Sequence, residues 1–223
     1  MNFRPLPSVV LLSLVAVAIP AATAGAATVK VTVSGSVDFN AFSSGPLGGI
    51  PSGAPASMSF LLDSDNFVNS GAFPTRGYVI DKSSFQFTAG GSTITLQNPY
   101  PAGQTPYFVL RNNDPAVDGF FLSENVDFFG GLDTSVTNAD MAFHATYGPN
   151  TLSSLNILDA LGSYTLSGIS VFNWTIDVGP TSPMGMIYDL MTIEVVPAPA
   201  MLPLLGAGLA FAGGGRRRRA GQS

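Results

Sequence analysis

Apolar and polar residues alternate along much of the chain between residues 28 and 196. Valine occupies every second position from Val29 to Val33, and the same spacing recurs in Met58–Leu62 and Met141–Tyr147. A strand turns successive side chains to opposite faces, so this period of two predicts strands that each bury one face. Frequent Gly and Pro, 25 and 17 residues, supply the turns between them.

The alternation predicts an all-β domain over residues 27–195. About ten short strands in one domain favour a two-sheet antiparallel β-sandwich with a jelly-roll-like arrangement. Ala89-Gly90-Gly91-Ser92 lies between two alternating runs and predicts a hairpin. Only Leu152–Leu161 has leucines at helical spacing, and this predicts one short helix.

Charge is unevenly distributed along the chain, whose net charge is −5. Residues 27–195 contain all 14 acidic residues, from Asp38 to Glu194, but only four basic residues, which gives 4 − 14 = −10. Such a surface repels phosphate backbones and argues against nucleic-acid binding. The chain has no cysteine, so disulfides and thiolate metal sites are excluded.

Residues 1–26 have the three parts of a secretory signal peptide. Arg4 makes the first segment positive, Val9–Ile19 is apolar apart from one serine, and Pro20 precedes two A-x-A cleavage sites ending at Ala24 and Ala26. The pattern predicts export through the Sec translocon and removal of the leader by signal peptidase.

Residues 196–223 form a second targeting segment. Val196, Pro197, Ala198 and Pro199 precede an apolar run, and Arg216, Arg217, Arg218 and Arg219 follow it. As a helix, residues 200–215 would be about 24 Å long, slightly short of the ~30 Å hydrocarbon core. We therefore expect a C-terminal apolar transmembrane helix that inserts weakly, with the arginines as a cytoplasmic stop.

This order of parts resembles the PEP-CTERM sorting signal of Gram-negative bacteria. The matching residues are the Pro-x-Pro motif at Pro197–Pro199, the apolar run beginning at Leu202 and the arginine cluster; Ala198 stands where the namesake motif has Glu. The resemblance implies processing by an exosortase and association with the cell surface or an extracellular polysaccharide matrix. It covers about 27 residues and does not extend to the domain between the two ends.

Candidate catalytic residues are few. His144 is the only histidine, and on its strand it alternates with Phe143 and Ala145, which predicts a solvent-facing side chain rather than a catalytic base. A glycoside hydrolase needs two carboxylates at a set separation, and Asp127, Asp133 and Asp140 are the candidates, although acidic loop residues are ordinarily solvated. We expect no enzymatic activity.

Candidate ligand-binding residues are also limited. Asp63 and Asp65 could contribute oxygen ligands to calcium, but they lack the EF-hand spacing and are typical of a turn. Tyr100 and Tyr107 flank a Pro-Gly loop and are candidates for exposed rings that stack on sugars. No cofactor is indicated.

Together these patterns predict an exported, noncatalytic protein of the cell surface or extracellular matrix. It would be held transiently in the inner membrane by its tail, then released or transferred by an exosortase. The alternatives are a secreted carbohydrate-binding module and a glycoside hydrolase.

Overall fold

The computed structural model describes residues 25–197, which form twelve β-strands and one short 3₁₀ helix. The helix is Ile157–Ala160, and the strands are β1 (Thr28–Asn40), β2 (Pro55–Asn69), β3 (Thr75–Ile80), β4 (Gln86–Ala89), β5 (Ser92–Ile94), β6 (Tyr107–Arg111), β7 (Asp118–Ser123), β8 (Leu132–Asp133), β9 (Ala139–Tyr147), β10 (Gly162–Thr165), β11 (Ile169–Val178) and β12 (Thr181–Val195). The pairings between them are antiparallel, so the all-β antiparallel prediction is confirmed.

Eight of these strands close into an antiparallel barrel. Their order is β1-β12-β11-β9-β7-β6-β3-β2, and β2 pairs back onto β1. The remaining strands lie beside the ring: the β4–β5 hairpin beside β2, β10 beside β12 and β8 beside β9. Closure gives the backbone groups of the eight ring strands neighbours on both sides, which removes exposed sheet edges there.

The predicted two-sheet β-sandwich is therefore wrong. A sandwich strand and a barrel strand both bury alternate residues, so the alternation cannot distinguish the two architectures. The barrel closes because β2 and β12, each 15 residues long, pair with different strands along their length. β2 pairs with β1 through Asp63 and then with β3 from Leu62 onward, while β12 pairs with β11 before it pairs with β1.

The barrel interior is filled by aromatic rings. Phe108 packs on Phe60 and Phe120 with ring centres 5.4 and 5.7 Å away, and Tyr164 lies 4.7 Å beyond Phe120. Trp174 is 1% exposed and packs between other rings of the core. Because the interior is occupied by side chains, the barrel is a packed core.

Two local predictions have different outcomes. β4 and β5 form the predicted hairpin, with Gly90 and Gly91 both at positive φ (54° and 89°), as a tight two-residue turn requires. The helix predicted over residues 152–161 is reduced to the single 3₁₀ turn, which begins after Asn156. Because only Ile157 and Ala160 of that turn are buried, little apolar packing supports a longer helix.

The prediction of a transmembrane helix is not supported. Within residues 25–197 the structure contains no helix with the length and apolar character needed to cross a membrane. The segment for which the helix was predicted, residues 200–215, lies outside the described residues, as do residues 1–24 of the predicted leader.

The two ends of the barrel domain meet. Val29 of β1 is the register partner of Val195 of β12, and the Val196 N–H donates to the Thr28 carbonyl at 2.8 Å. The chain therefore enters and leaves the domain at neighbouring points on the same edge.

Gly35 of β1 is required by the close approach of β12 and Trp174. A Cβ at this position would lie 1.8 Å from the Ile187 carbonyl oxygen and 3.2 Å from the indole ring. We expect Gly35→Ala to destabilise the protein by about 3 kcal/mol, because β1 must move away from β12. The midpoint and slope of urea unfolding would measure this.

Gly71→Ala is the matched control, since a Cβ on Gly71 would have no atom within 4 Å and its φ is not in the left-handed region. A Gly35→Ala variant as stable as Gly71→Ala would contradict the proposed packing.

Candidate functional site

A cleft on the barrel is lined by Lys82, Ser83 and residues 95–100, and we call it the Tyr100 cleft. Its volume is about 600 Å³, whereas the recess beside Asp63 has about 300 Å³ and the one beside His144 about 230 Å³. Small-molecule sites usually have 300–1,000 Å³. By size, the Tyr100 cleft is the best candidate for a ligand site.

Two loops form the walls of this cleft. On one side, the Asp81 carboxylate accepts hydrogen bonds from the Ser83 N–H (3.0 Å) and hydroxyl (2.7 Å), which fixes the turn after β3. On the other side, the chain after β5 runs beside residues 133–135, and the Ser135 N–H donates to the Thr95 carbonyl at 2.6 Å. Both walls are thus held by hydrogen bonds near the cleft.

Tyr100 is held in a fixed orientation at the end of the cleft. Its hydroxyl donates to Glu124 Oε1, and its ring packs partly against the core. Burial and the Glu124 hydrogen bond both raise the pKa of Tyr100, so the phenol stays protonated. The Lys82 Nζ lies 5.3 Å from the ring centre. Tyr100 is half-buried, therefore, and less exposed than the sequence predicted.

Tyr107 lies elsewhere, at the start of β6. It pairs with Val79 and Ser123, and its ring packs over Gly77, where a Cβ would come within 3.0 Å of it. It is not among the residues that line the Tyr100 cleft. The two tyrosines predicted to stack on a sugar thus do not share one site.

Lys82, Gln97 and Asn98 are cleft residues that sequence reasoning missed. Two strands, β4 and β5, separate Lys82 from the other two, so only the fold brings them together. The Pro-rich segment that begins at Asn98 was visible in the sequence as a loop, but polar loop residues carry no periodic signal.

Three of the aspartates form a row across neighbouring strands. Asp133 of β8 is the register partner of Asp140 of β9, which is the partner of Asp177 of β11. Burial, followed by the hydrogen bond that protonated Asp140 donates to Asp133, raises the pKa of Asp140 to about 6. Like charges directly opposite each other are destabilising, and a shared proton relieves that repulsion.

The candidate hydrolase carboxylates are only partly brought together. Asp133 and Asp140 are neighbours, but neither lines the Tyr100 cleft, and Asp127 is exposed in the loop between β7 and β8. Asp140 and His144 are four residues apart on β9, about 13 Å along the strand. An acid–base pair of these two side chains is therefore excluded by distance.

His144 is buried, and the prediction that it faces solvent is wrong. It is 7% exposed because the Phe129 ring stacks on the imidazole, with ring centres 4.3 Å apart. Burial, with a smaller effect of Arg111, lowers its pKa to about 4. The alternation assigned the correct strand face, but the sequence did not show that a loop covers it.

The hydrogen bonds of His144 fix its tautomer. Arg111 Nη2 donates to Thr146 Oγ1 at 2.5 Å and also lies 3.4 Å from His144 Nε2. Because this N–H donor faces Nε2, the nitrogen is assigned as an acceptor, and the Thr146 hydroxyl at 2.6 Å can donate to it. Nε2 is then an acceptor, and the ring proton is on Nδ1. Thr146 is 4% exposed and His144 7% exposed, so this hydroxyl–imidazole pair does not face solvent.

Arg111 reaches Thr146 because the strand between them has a glycine at that position. Gly119 of β7 is the register partner of Arg111 on one side and Thr146 on the other. A Cβ on Gly119 would lie 2.4 Å from the Ala145 carbonyl oxygen. The guanidinium thus crosses β7 at a position where the backbone of β9 leaves no room for a side chain.

Residues 124–131 form a loop, the cover loop, that lies on the outer face of the barrel over this group. Thr75 Oγ1 donates to the Val126 carbonyl and Ser123 Oγ to the Phe128 carbonyl, each at 2.6 Å. Phe128 and Phe129 are 59% and 55% exposed. The loop covers His144 while its aromatic residues remain partly open to solvent.

Asp63 and Asp65 lie in a bulge inside β2, between the register pairs Leu62–Ile80 and Phe67–Tyr78. The Asp63 carboxylate accepts the Asp65 N–H at 2.8 Å, which is the typical Asx-turn interaction. Within the described part of the chain, no group of three or more His, Asp or Glu side chains could hold a metal ion.

The sorting motif is described only at its start. Val196 and Pro197 follow β12, whereas Ala198, Pro199 and Arg216–Arg219 lie outside the described residues. Their predicted role in sorting stays a prediction.

The chain matches no protein-family model, no curated protein and no solved structure. A function must therefore be inferred from its own residues.

Asp140 makes stability dependent on pH. Its pKa is about 6 in the folded protein against an ordinary 3.8, so the folded state holds the proton more tightly. The resulting stabilisation is complete below about pH 4 and is lost as the pH rises through 6. We expect Asp140→Asn, which resembles the protonated form, to raise the urea midpoint at pH 7 but not at pH 3.5. Asp127→Asn is the control, and an equal gain in both variants would contradict this role.

The cover loop sets the pKa of His144. We expect Phe129→Ala to raise this pKa from about 4 towards the ordinary 6.5, because water then reaches the imidazole. NMR titration can follow the single histidine of the chain directly. Phe128→Ala, which removes an equally exposed ring that does not stack on His144, should leave the titration unchanged.

Proposed function

We propose that this chain is an exported, noncatalytic protein of the cell surface or extracellular matrix, sorted through its C-terminal segment and released or transferred by an exosortase. The observation that carries the proposal is the order of parts at the two ends: a leader with cleavage sites, then a Pro-x-Pro motif, an apolar run and four arginines. These features give the same orientation independently, with the domain outside and the arginines in the cytoplasm.

The geometry of the domain supports this arrangement. Because the Val196 N–H bonds to the Thr28 carbonyl, the leader and the tail depart from neighbouring points. Because both segments join the barrel at one edge, that edge can face the inner membrane while the rest of the barrel lies outside it. The proposed partners are the Sec translocon and signal peptidase at the first end, and the membrane and an exosortase at the second.

The arrangement of polar side chains supports a noncatalytic role. His144 Nε2 is engaged by Thr146, and the Asp177 carboxylate accepts hydrogen bonds from Thr175 and Ser182. These two side chains line one recess of only about 230 Å³, and the Thr146 hydroxyl that contacts His144 is buried. The acidic surface also makes nucleic acid an unfavourable partner.

Mass spectrometry of the mature protein from its native cells tests the sorting proposal. We expect the N-terminus to follow Ala24 or Ala26 and the C-terminus to precede Arg216, because both ends are processed. Recovery of the protein with residues 1–26 and 198–223 intact would overturn the proposal.

Two variants isolate the contribution of the arginines. Replacing Arg216–Arg219 by lysine keeps the positive charge and should preserve processing, whereas replacing all four by glutamine should prevent the correct orientation of the tail. Equal processing of both variants would show that the charges have no part in it.

A further inference from the structure

We propose that the Tyr100 cleft binds a neutral glycan. The inference deepens the proposed function, because it assumes that the exported domain meets polysaccharide outside the cell. It assigns the ligand to one recess and to one class of sugar, neither of which follows from the targeting segments.

The polar groups of the cleft match those of a sugar. Thr95 and Ser83 contribute hydroxyls, and Gln97 and Asn98 contribute side-chain amides. The two amides make no hydrogen bond to other described residues, although Gln97 is half-buried. The amides both donate and accept, as sugar hydroxyls do. The Ser83 and Thr95 hydroxyls already donate to Asp81 and to the Leu96 carbonyl, so they offer acceptor oxygens to a sugar.

Tyr100 supplies a rigid apolar surface in the same cleft. Its hydroxyl is fixed by Glu124 and its ring is partly packed against the core, so little conformational entropy is lost when a ligand stacks on it. Leu96 and Pro99 extend the apolar lining beside it. A pyranose ring presents apolar C–H groups on its faces and hydroxyls at its edge, which fits this combination.

Lys82 does not block the ring. Its side chain is exposed, and a cation–π contact at an exposed site contributes only about 0.5–1 kcal/mol. A stacking ligand can displace the ammonium from the ring face at that cost. The ammonium can then donate to a hydroxyl at the edge of the cleft.

Charge favours a neutral glycan over a uronate polymer. Between Asp38 and Glu194 lie all 14 acidic residues, and Lys82 is the cation that lines the cleft. Asp81 lies next to Lys82 on the same turn, and Glu124 holds the Tyr100 hydroxyl. A polyanion would therefore approach a surface of its own sign, which lowers its rate of association and its affinity.

Affinity electrophoresis of the protein produced from the full chain tests the inference. The native gels contain dextran, mannan, galactan or polygalacturonate. We expect at least one of the three neutral polymers to retard the protein, and Tyr100→Ala to weaken that retardation about tenfold. Tyr107→Ala, which changes a tyrosine outside the cleft, should be retarded as strongly as the unaltered protein.

Two further variants keep the test decisive if Tyr100→Ala fails to fold. Tyr100→Phe keeps the stacking ring and should retain most of the binding, whereas the double variant Gln97→Ala/Asn98→Ala should lose it without disturbing the core. Retardation by polygalacturonate alone, by none of the three neutral polymers, or equally in the double variant would overturn the inference. The termini found by mass spectrometry report on sorting separately, so either proposal can fail alone.

Discussion

The pairing of β1 with both β2 and β12 is the interaction on which the rest of the structure depends. It joins the first described strand to the last and closes the eight-stranded ring. Gly35 permits this contact where β1 changes register against β12, since a side chain there would overlap the Ile187 carbonyl. Closure makes the interior a single aromatic core and brings the two chain ends together at one edge.

Because side chains fill the barrel interior, the candidate sites lie on its outer face and in its loops. The cover loop uses one part of that face to bury His144, and the Tyr100 cleft uses another, where two loops meet. Glu124 links the two regions, because it lies at the start of the cover loop and its carboxylate holds the Tyr100 hydroxyl. A change in the cover loop can therefore alter the orientation of the Tyr100 ring through Glu124.

Burial shifts the pKa values of two polar side chains on the barrel, His144 and Asp140, in opposite directions. Burial lowers the pKa of His144 to about 4, while burial and the neighbouring Asp133 raise the pKa of Asp140 to about 6. In both cases the cost of desolvating a charge shifts the pKa towards the neutral form. Neither group needs a catalytic role to account for its altered pKa.

The sequence by itself determined the strand-rich, antiparallel character of the domain, the Gly90–Gly91 hairpin and the order of apolar, Pro-rich and basic residues at the two ends, because these depend on neighbouring residues. Only the tertiary structure decided that the strands close into a barrel, that Phe129 covers His144, and that Lys82 and Asn98 meet Tyr100 in one cleft. Alternation specifies which face of a strand is buried but not which strand lies beside it or which loop covers it. Those choices depend on contacts between residues distant in the chain, for which a local pattern carries no signal.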